Sequence, residues 1–209
     1  MMKEVSPKTC RGIRVKRLTT QIGGWHKRRH TGFTLIELIV VVSIIAILVG
    51  LLLSIAGYAR NKAARARAET EIAALSAACE SYKTDNGVYP REASSTDMLD
   101  ARLSGNPSSY QTASLYLYKQ LSGDFAANRT PTGKGYMVFK PNMLFPADQT
   151  QNVLYIHDPF SNSYGYSTIQ AATQDTTKGY NPTFDLWSTV SLTSSPPAAA
   201  DQNQWIKNW

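Results

Sequence analysis

The longest apolar stretch of this chain is Leu38–Ala59, and it contains no charged residue. Glu37 directly precedes it, and Arg60 directly follows it. At about 1.5 Å per helical residue, a stretch of this length spans the ~30 Å hydrocarbon core of a bilayer. A secretory signal has a shorter apolar core, which ends in small residues at a cleavage site. The pattern therefore predicts a retained membrane-spanning helix.

The same helix is expected to continue as an amphipathic element. Ile72, Leu75, Cys79 and Tyr82 recur at spacings that place them on one helical face. Alanine dominates this stretch, and no Gly or Pro interrupts it before Gly87. We predict one helix from about residue 33 to about residue 84. Its first half is apolar all round, and its second half is apolar on one side.

The remainder of the chain is turn-rich and is predicted to form a small globular domain. Leu115, Tyr118 and Leu121 have helical spacing, which predicts a short helix over 110–124. Four β-branched and aromatic stretches between turn signals predict strands. These are Gly135–Lys140, Asn152–Asp158, Tyr164–Gln170 and Thr183–Val190. The stretches 171–178 and 193–202 are predicted as loops. A three- or four-stranded antiparallel sheet packed on the amphipathic half of the long helix gives an α+β fold.

The positive charge of the chain is concentrated at its N-terminus. The formal net charge is +7, and residues 1–32 hold nine of the 22 Lys and Arg residues with one of the 15 acidic residues. The rest of the chain is close to neutral, so no nucleic-acid partner is expected. Next to an apolar run, a basic arm predicts a cytoplasmic N-terminus and a translocated C-terminus. Of the two cysteines, Cys10 lies in this arm and Cys79 on the apolar helical face.

The sequence offers no set of residues for catalysis. From Phe33 onward it contains one histidine, His157, and one cysteine, Cys79. No Ser-His-Asp set, HExxH, P-loop or GxGxxG motif is present. His157 precedes Asp158 and Pro159 at a predicted strand end, where a structural turn residue is the better interpretation. We therefore expect no enzyme activity and no metal site built from His and Cys.

The stretch Gly32–Gly50, "GFTLIELIVVVSIIAILVG", resembles the N-terminal signal of type IV pilins and type II secretion pseudopilins. The resemblance implies cleavage by a prepilin peptidase between Gly32 and Phe33, followed by N-methylation of Phe33. It also implies that Glu37 neutralises the Phe33 amine of a neighbouring subunit during assembly. The implied architecture is a pilin-like fold.

Further stretches are similar to the major pseudopilin, or protein G, class of type II secretion. They are "YKTDNGVYP" after the helix, "DPFSNSYGYS", "FDLWS" and the closing "IKNW". Members of this class carry a calcium loop after the last strand. Here the corresponding stretch, Thr189–Gln204, has one acidic residue, Asp201. Because Ca²⁺ takes six to eight oxygen ligands, often carboxylates, we expect no calcium site and no other cofactor.

These resemblances imply a division of the chain into four parts. Residues 1–32 are the cytoplasmic leader, 33–59 the transmembrane and filament-core helix, 60–87 its amphipathic continuation, and 88–209 a periplasmic domain. The expected function is that of a pseudopilin in the filament of a type II secretion system, anchored in a bacterial inner membrane. The implied partners are the prepilin peptidase, other pseudopilin subunits, the assembly platform, the secretion ATPase and, before assembly, the bilayer. The alternative is a subunit of a surface fibre for adhesion or DNA uptake.

Overall fold

The computed structural model describes residues 32–192 and 194–209. The predicted leader, apart from Gly32, lies outside these residues. The chain divides into two compact units, Met1–Ile47 and Leu48–Trp209.

A single long helix, α1, covers Leu35–Asn86. The prediction of one uninterrupted helix is confirmed, with both ends two residues later than expected. The helix ends where Gly87 adopts a positive φ of 76° and donates its N–H to the carbonyl of Lys83 at 2.7 Å. Glycine takes this left-handed conformation without the steric cost that a Cβ imposes.

The amphipathic half of α1 forms one wall of the main hydrophobic core. The predicted face is buried at Ile72, Leu75 and Cys79, together with Ala68 one turn earlier, and Tyr82 is partly buried. The helix packs against buried side chains of the globular domain, among them Leu117, Leu121, Ile156, Tyr166 and Leu186. Because full burial of one such apolar side chain contributes about 1.5–3 kcal/mol, this face holds the helix to the domain.

A second helix, α2, covers Gln111–Ser122 and follows a 3-10 turn at Pro107–Tyr110. Asn106 caps that turn by accepting the N–H of Ser108. The predicted helix is confirmed, with Leu117, Tyr118 and Leu121 buried. Leu115, which the spacing placed on the same face, is only partly buried. Gly123 ends α2 with a φ of 73°.

The strands form two small antiparallel sheets. In the first, β1 (Leu144–Phe145) pairs with β2 (Tyr155–Ile156). In the second, β4 (Asp185–Ser188) lies between β3 (Gly165–Ser167) and β5 (Ile206–Lys207). The α+β fold class with a small antiparallel sheet is confirmed. Strands β2, β3 and β4 are shorter than predicted, and β1 and β5 were not predicted. Two short helices, α3 (Ile169–Thr173) and α4 (Ala199–Gln202), lie where a strand end and loops were expected.

One predicted strand is wrong. The stretch Gly135–Lys140 has no regular structure, although its residues favour strands. Its backbone satisfies the end of α2 instead, because the N–H groups of Tyr136 and Met137 both donate to the carbonyl of Leu121, at 2.7 and 3.0 Å. The last carbonyls of a helix have no partner within it. This stretch therefore caps a helix and does not pair with a strand.

The centre of the three-stranded sheet depends on a close contact between glycine and tryptophan. Gly165 of β3 is directly opposite Trp187 of β4. A Cβ at Gly165 would lie 2.1 Å from an indole carbon of Trp187. The absence of a side chain at this position lets the fully buried indole lie over the neighbouring strand, where it contacts a second core formed with Tyr110 and Trp205.

Candidate functional site: the first turn of the long helix

The predicted cleavage position lies just outside α1. Gly32, Phe33 and Thr34 precede the helix without regular structure. The Phe33 side chain is 85% exposed, and a Cβ at Gly32 would meet no atom within 4 Å. Among the described residues, none therefore packs against the Cβ position of Gly32, and Phe33 is largely uncovered.

Thr34 and Glu37 hold the first turn of α1 by a reciprocal cap. The N–H and the hydroxyl of Thr34 both donate to Oε2 of Glu37, each at 2.8 Å. In return, the N–H of Glu37 donates to the Thr34 hydroxyl oxygen at 3.3 Å. The first helical bond runs from the N–H of Leu38 to the carbonyl of Thr34. Thr34 is thus the N-cap residue of a capping box.

The cap uses only half of the Glu37 carboxylate. Both bonds from Thr34 end on Oε2. Among the described residues, Oε1 of Glu37 accepts no hydrogen bond. The carboxylate is also placed where the N-terminal end of the helix dipole favours negative charge. Within residues 32–192 and 194–209, one carboxylate oxygen of Glu37 therefore has no donor.

Sequence reasoning placed Glu37 in the site but missed Thr34. The signal for it was present, because Thr-x-x-Glu before an apolar run is a capping-box pattern.

The apolar run that follows presents its side chains outward. Ile36, Ile39 and Leu53 are exposed, as are the other large apolar residues described between them. Ser43 satisfies its hydroxyl within the helix by donating to the carbonyl of Ile39 at 2.8 Å. In the described part of the chain, α1 is the one helix long and apolar enough to cross a membrane. An exposed apolar surface of this size requires lipid or other protein to cover it.

Beyond the apolar run, a polar triad joins α1 to the residue that directly precedes β3; Glu71 and Tyr164 are buried, and Arg67 is partly exposed. Arg67 and Glu71 form an ion pair at 2.6 Å within α1. The hydroxyl of Tyr164 donates to the other oxygen of Glu71 at 2.7 Å. Arg67 also donates to the carbonyl of Asn142 at 3.0 Å. Burial, together with the charge of Glu71, raises the pKa of Tyr164, so its phenol remains a donor.

His157 occupies a structural turn. Its Nδ1 lies 2.9 Å from the backbone oxygen of Asp158. The Asp158 carboxyl accepts the N–H groups of Phe160 and Asn162 and the hydroxyl of Ser188. Burial raises the pKa of Asp158 to about 6, against the opposing effect of these hydrogen bonds. These hydrogen bonds hold the backbone of the turn, which matches the structural interpretation from sequence.

The C-terminal stretch does not fit a calcium site. Its one acidic residue, Asp201, accepts the hydroxyl of Ser194 on Oδ2 at 2.9 Å. Within residues 32–192 and 194–209, no three His, Cys, Asp or Glu side chains are grouped to hold a metal ion. Two backbone oxygens of the stretch face cationic side chains, because Gln202 accepts from Lys207 and Gln204 accepts from Arg65. The donor set is too poor in carboxylates for Ca²⁺.

Comparison with known proteins finds matches both to the N-terminal segment and to the part of the chain that follows it. Residues 27–53 match the prokaryotic N-terminal methylation motif. Residues 57–142 match the type II secretion system protein G profile. The type II secretion system core protein G of Pseudomonas aeruginosa is 32% identical over 122 residues, which cover 58% of this chain and 82% of that protein. This chain belongs to the type II secretion protein G family.

Two further relatives support the assignment to these pseudopilins. The core protein G of Aeromonas hydrophila is 31% identical over 122 residues, covering 58% of this pseudopilin and 81% of the relative. That of Vibrio cholerae is 44% identical over 63 residues, covering 30% of this chain and 43% of the relative. No solved structure is significantly similar. The predicted family and the pseudopilin function in type II secretion are confirmed. The family is one of structural subunits, and its N-terminal helix indicates membrane anchoring.

Proposed function

We propose that this pseudopilin is cut between Gly32 and Phe33, methylated on Phe33, and polymerised into the periplasmic filament of a type II secretion system. The observation that carries the proposal is the half-used carboxylate of Glu37 beside the exposed Phe33. Cutting would create an α-amine at Phe33. In a neighbouring subunit at the correct axial offset, Oε1 of Glu37 would accept a hydrogen bond from that amine.

The energetics favour this pairing because the site lies at the end of an apolar segment. An unpaired carboxylate within a bilayer costs several kcal/mol on insertion scales. The capping box lowers this cost for the isolated chain by giving Oε2 two donors. A charged amine from a second chain would neutralise the carboxylate completely. Since the amine exists only after cleavage, processing and assembly would be coupled.

The same charge pattern supports a topology. The nine basic residues before Phe33 favour an N-terminus in the cytoplasm and a globular domain in the periplasm. The subunit would enter the inner membrane through α1 and leave it when exposed apolar faces pack against those of other copies. A repeating, non-closing contact between copies generates a helical filament. The prepilin peptidase, assembly platform and secretion ATPase are the partners expected for this cycle. We assign the chain no catalytic activity and no nucleic-acid ligand.

The decisive experiment compares Glu37→Gln and Glu37→Val with wild-type protein in a secreting cell. The amide keeps an oxygen for Thr34 but loses the charge, and valine loses both. We expect both variants to be cut and methylated at Phe33, as measured by mass spectrometry of the mature N-terminus. Both should remain in the membrane fraction and fail to form filaments that sediment after shearing.

The matched control is Glu69→Gln, an exposed glutamate on the amphipathic half of the same helix. We expect it to assemble normally. Filaments of normal abundance from Glu37→Val would overturn the assembly role of this carboxylate. An uncut N-terminus in wild-type protein would overturn the proposed processing.

A further inference from the structure

The C-terminal stretch is fastened to the globular domain by residues from two distant parts of the chain, 100–105 and 179–181. The Gln202 side-chain amide donates to the carbonyl of Ala101 at 3.3 Å. Asn181 donates to the side-chain oxygen of Asn208 at 3.3 Å. At Gly105, a Cβ would lie 1.7 Å from the carbonyl oxygen of Ser194. The contact therefore includes a close backbone approach, between Gly105 and Ser194, and a side-chain hydrogen bond, between Asn181 and Asn208.

Tyr180 is the centre of the arrangement. Its ring stacks on Trp209, with centroids 4.5 Å apart and planes within 6°. Its hydroxyl donates to the side-chain oxygen of Gln202 at 2.6 Å. The guanidinium of Arg102 lies 4.3 Å from the centre of the same ring. One aromatic side chain thus joins Arg102 to two residues of the C-terminal stretch, Gln202 and Trp209.

Arg102 is itself held in place. Its Nε donates to the carbonyl of Gly179 at 2.5 Å. The carboxylate of Asp100 accepts the backbone N–H groups of Arg102 and Gly179, at 2.9 and 3.1 Å. These bonds join the stretches 100–105 and 179–181 to each other, independently of their contacts with the C-terminal residues. We call Arg102, Tyr180, Gln202 and Trp209 the C-terminal clasp.

Cationic side chains of the protein supply positive charge to this stretch. Lys207 donates to the carbonyl of Gln202 at 3.2 Å and lies 5.1 Å from the centre of the Trp209 ring. Arg65 of α1 donates to the carbonyl of Gln204 at 3.0 Å. Backbone oxygens of this kind could serve as ligands in a calcium loop. Here an ammonium and a guanidinium already occupy them.

We propose that the C-terminal clasp replaces a divalent cation in this pseudopilin. The clasp holds the C-terminal stretch to the globular domain, so the domain neither binds nor requires Ca²⁺. The clasp reaches the same stretch that carries the calcium loop in the family this chain resembles. It joins the stretch to the domain by stacking, hydrogen bonds and cation–π contacts, none of which depends on a dissociable ion. The inference concerns the folded subunit and is independent of filament assembly.

The test uses the full chain, solubilised in detergent, with calcium chloride as the probe. Isothermal titration should detect no binding heat, and hydrogen exchange of residues 199–209 should be equal in calcium and in EGTA. Tyr180→Ala should speed exchange of this stretch by about tenfold, since it removes a stack, a cation–π contact and a hydrogen bond. Tyr180→Phe, which removes only the bond to Gln202, should give a smaller increase in a folded protein.

The matched control is Tyr155→Ala, which breaks another stacked pair, Phe145 with Tyr155, whose centroids lie 4.8 Å apart. It should leave the exchange of residues 199–209 unchanged. Calcium-dependent protection of this stretch in wild-type protein would overturn the proposal. Unchanged exchange in both Tyr180 variants would overturn it as well, because the clasp would then not hold the stretch.

Discussion

Thr34 and Glu37 are each other's hydrogen-bond partners at the start of α1, and the two Thr34 donors meet on a single oxygen of the Glu37 carboxylate. A residue that the family resemblance marks for contact between subunits therefore also has a role within one subunit. The contact that we propose between subunits would use the other oxygen, Oε1, so the two roles would not compete.

Substitution of Thr34 should separate these roles. Thr34→Val removes the hydroxyl from the capping box, at a cost of about 1 kcal/mol for the first turn. We expect normal cleavage and membrane retention, with filament yield between that of wild-type protein and that of Glu37→Val. Thr34→Ser keeps the hydroxyl and should assemble as wild-type protein does. A Thr34→Val defect as complete as that of Glu37→Val would show that the hydroxyl acts beyond the cap.

Gly32 offers a test of processing that does not disturb the fold. A Cβ at this position meets no atom within 4 Å, so Gly32→Val leaves the first turn of α1 intact. We expect the variant to accumulate as an uncut precursor of unchanged thermal stability, because the peptidase must fit the residue before the scissile bond. Gel mobility and N-terminal mass spectrometry measure the cleavage. Efficient cutting of this variant would contradict a glycine-specific processing site.

The Tyr164–Glu71 bond should contribute to the stability of the globular domain. Tyr164→Phe leaves one oxygen of a buried carboxylate without its donor, which costs about 1–3 kcal/mol in free energy of unfolding. Denaturant unfolding followed by tryptophan fluorescence measures the change. Tyr155→Phe is the matched control, since the Tyr155 hydroxyl makes no hydrogen bond within the described chain. Equal stability of the two variants would mean that water or Arg67 compensates Glu71 fully.

Asp158 should make the domain less stable as pH rises. Its pKa of about 6 in the fold exceeds its ordinary value of 3.8 because burial disfavours the charged form. The stabilisation from the protonated carboxyl is complete below about pH 4 and is lost as pH rises through about 6. For a shift of this size the loss is up to about 3 kcal/mol.

The measurement is the free energy of unfolding against pH for wild-type protein and Asp158→Asn. Burial also raises the pKa of Asp185, so the difference between the two proteins isolates Asp158. Asp148→Asn is the control of opposite sign, because hydrogen bonds from Thr150 lower the pKa of the exposed Asp148. A pH slope that Asp158→Asn leaves unaltered would rule out the assignment.

Long-range periodicity made much of this fold predictable. The stripe of Ile72, Leu75 and Cys79 located the buried face of α1, because helical spacing persists over many turns. Short strands were harder, since two residues such as Ile206 and Lys207 carry no periodic signal. The stretch after Gly135 was misassigned because its β-favouring residues serve the carbonyl of Leu121, a partner that only the folded chain provides.

The functional residues likewise include some that sequence could predict and some that it could not. Gly32, Phe33 and Glu37 followed from one contiguous motif, and the cap at Thr34 was readable from the same few letters. The C-terminal clasp was not, because Arg102, Tyr180 and Trp209 are brought together only by tertiary folding. Spacing along a chain gives no information on contacts of this kind.

The burial of Cys79 has a practical consequence. Its thiol is fully enclosed, and burial raises its pKa, so it is neither accessible nor nucleophilic in the folded domain. If the leader is removed, Cys10 leaves with it, and the mature subunit keeps only the buried Cys79. Cysteines introduced on its surface could then be cross-linked between copies without interference from native thiols. The same thiol would also serve as a probe of local opening of the domain. Its rate of alkylation would record how often the amphipathic half of α1 separates from the core.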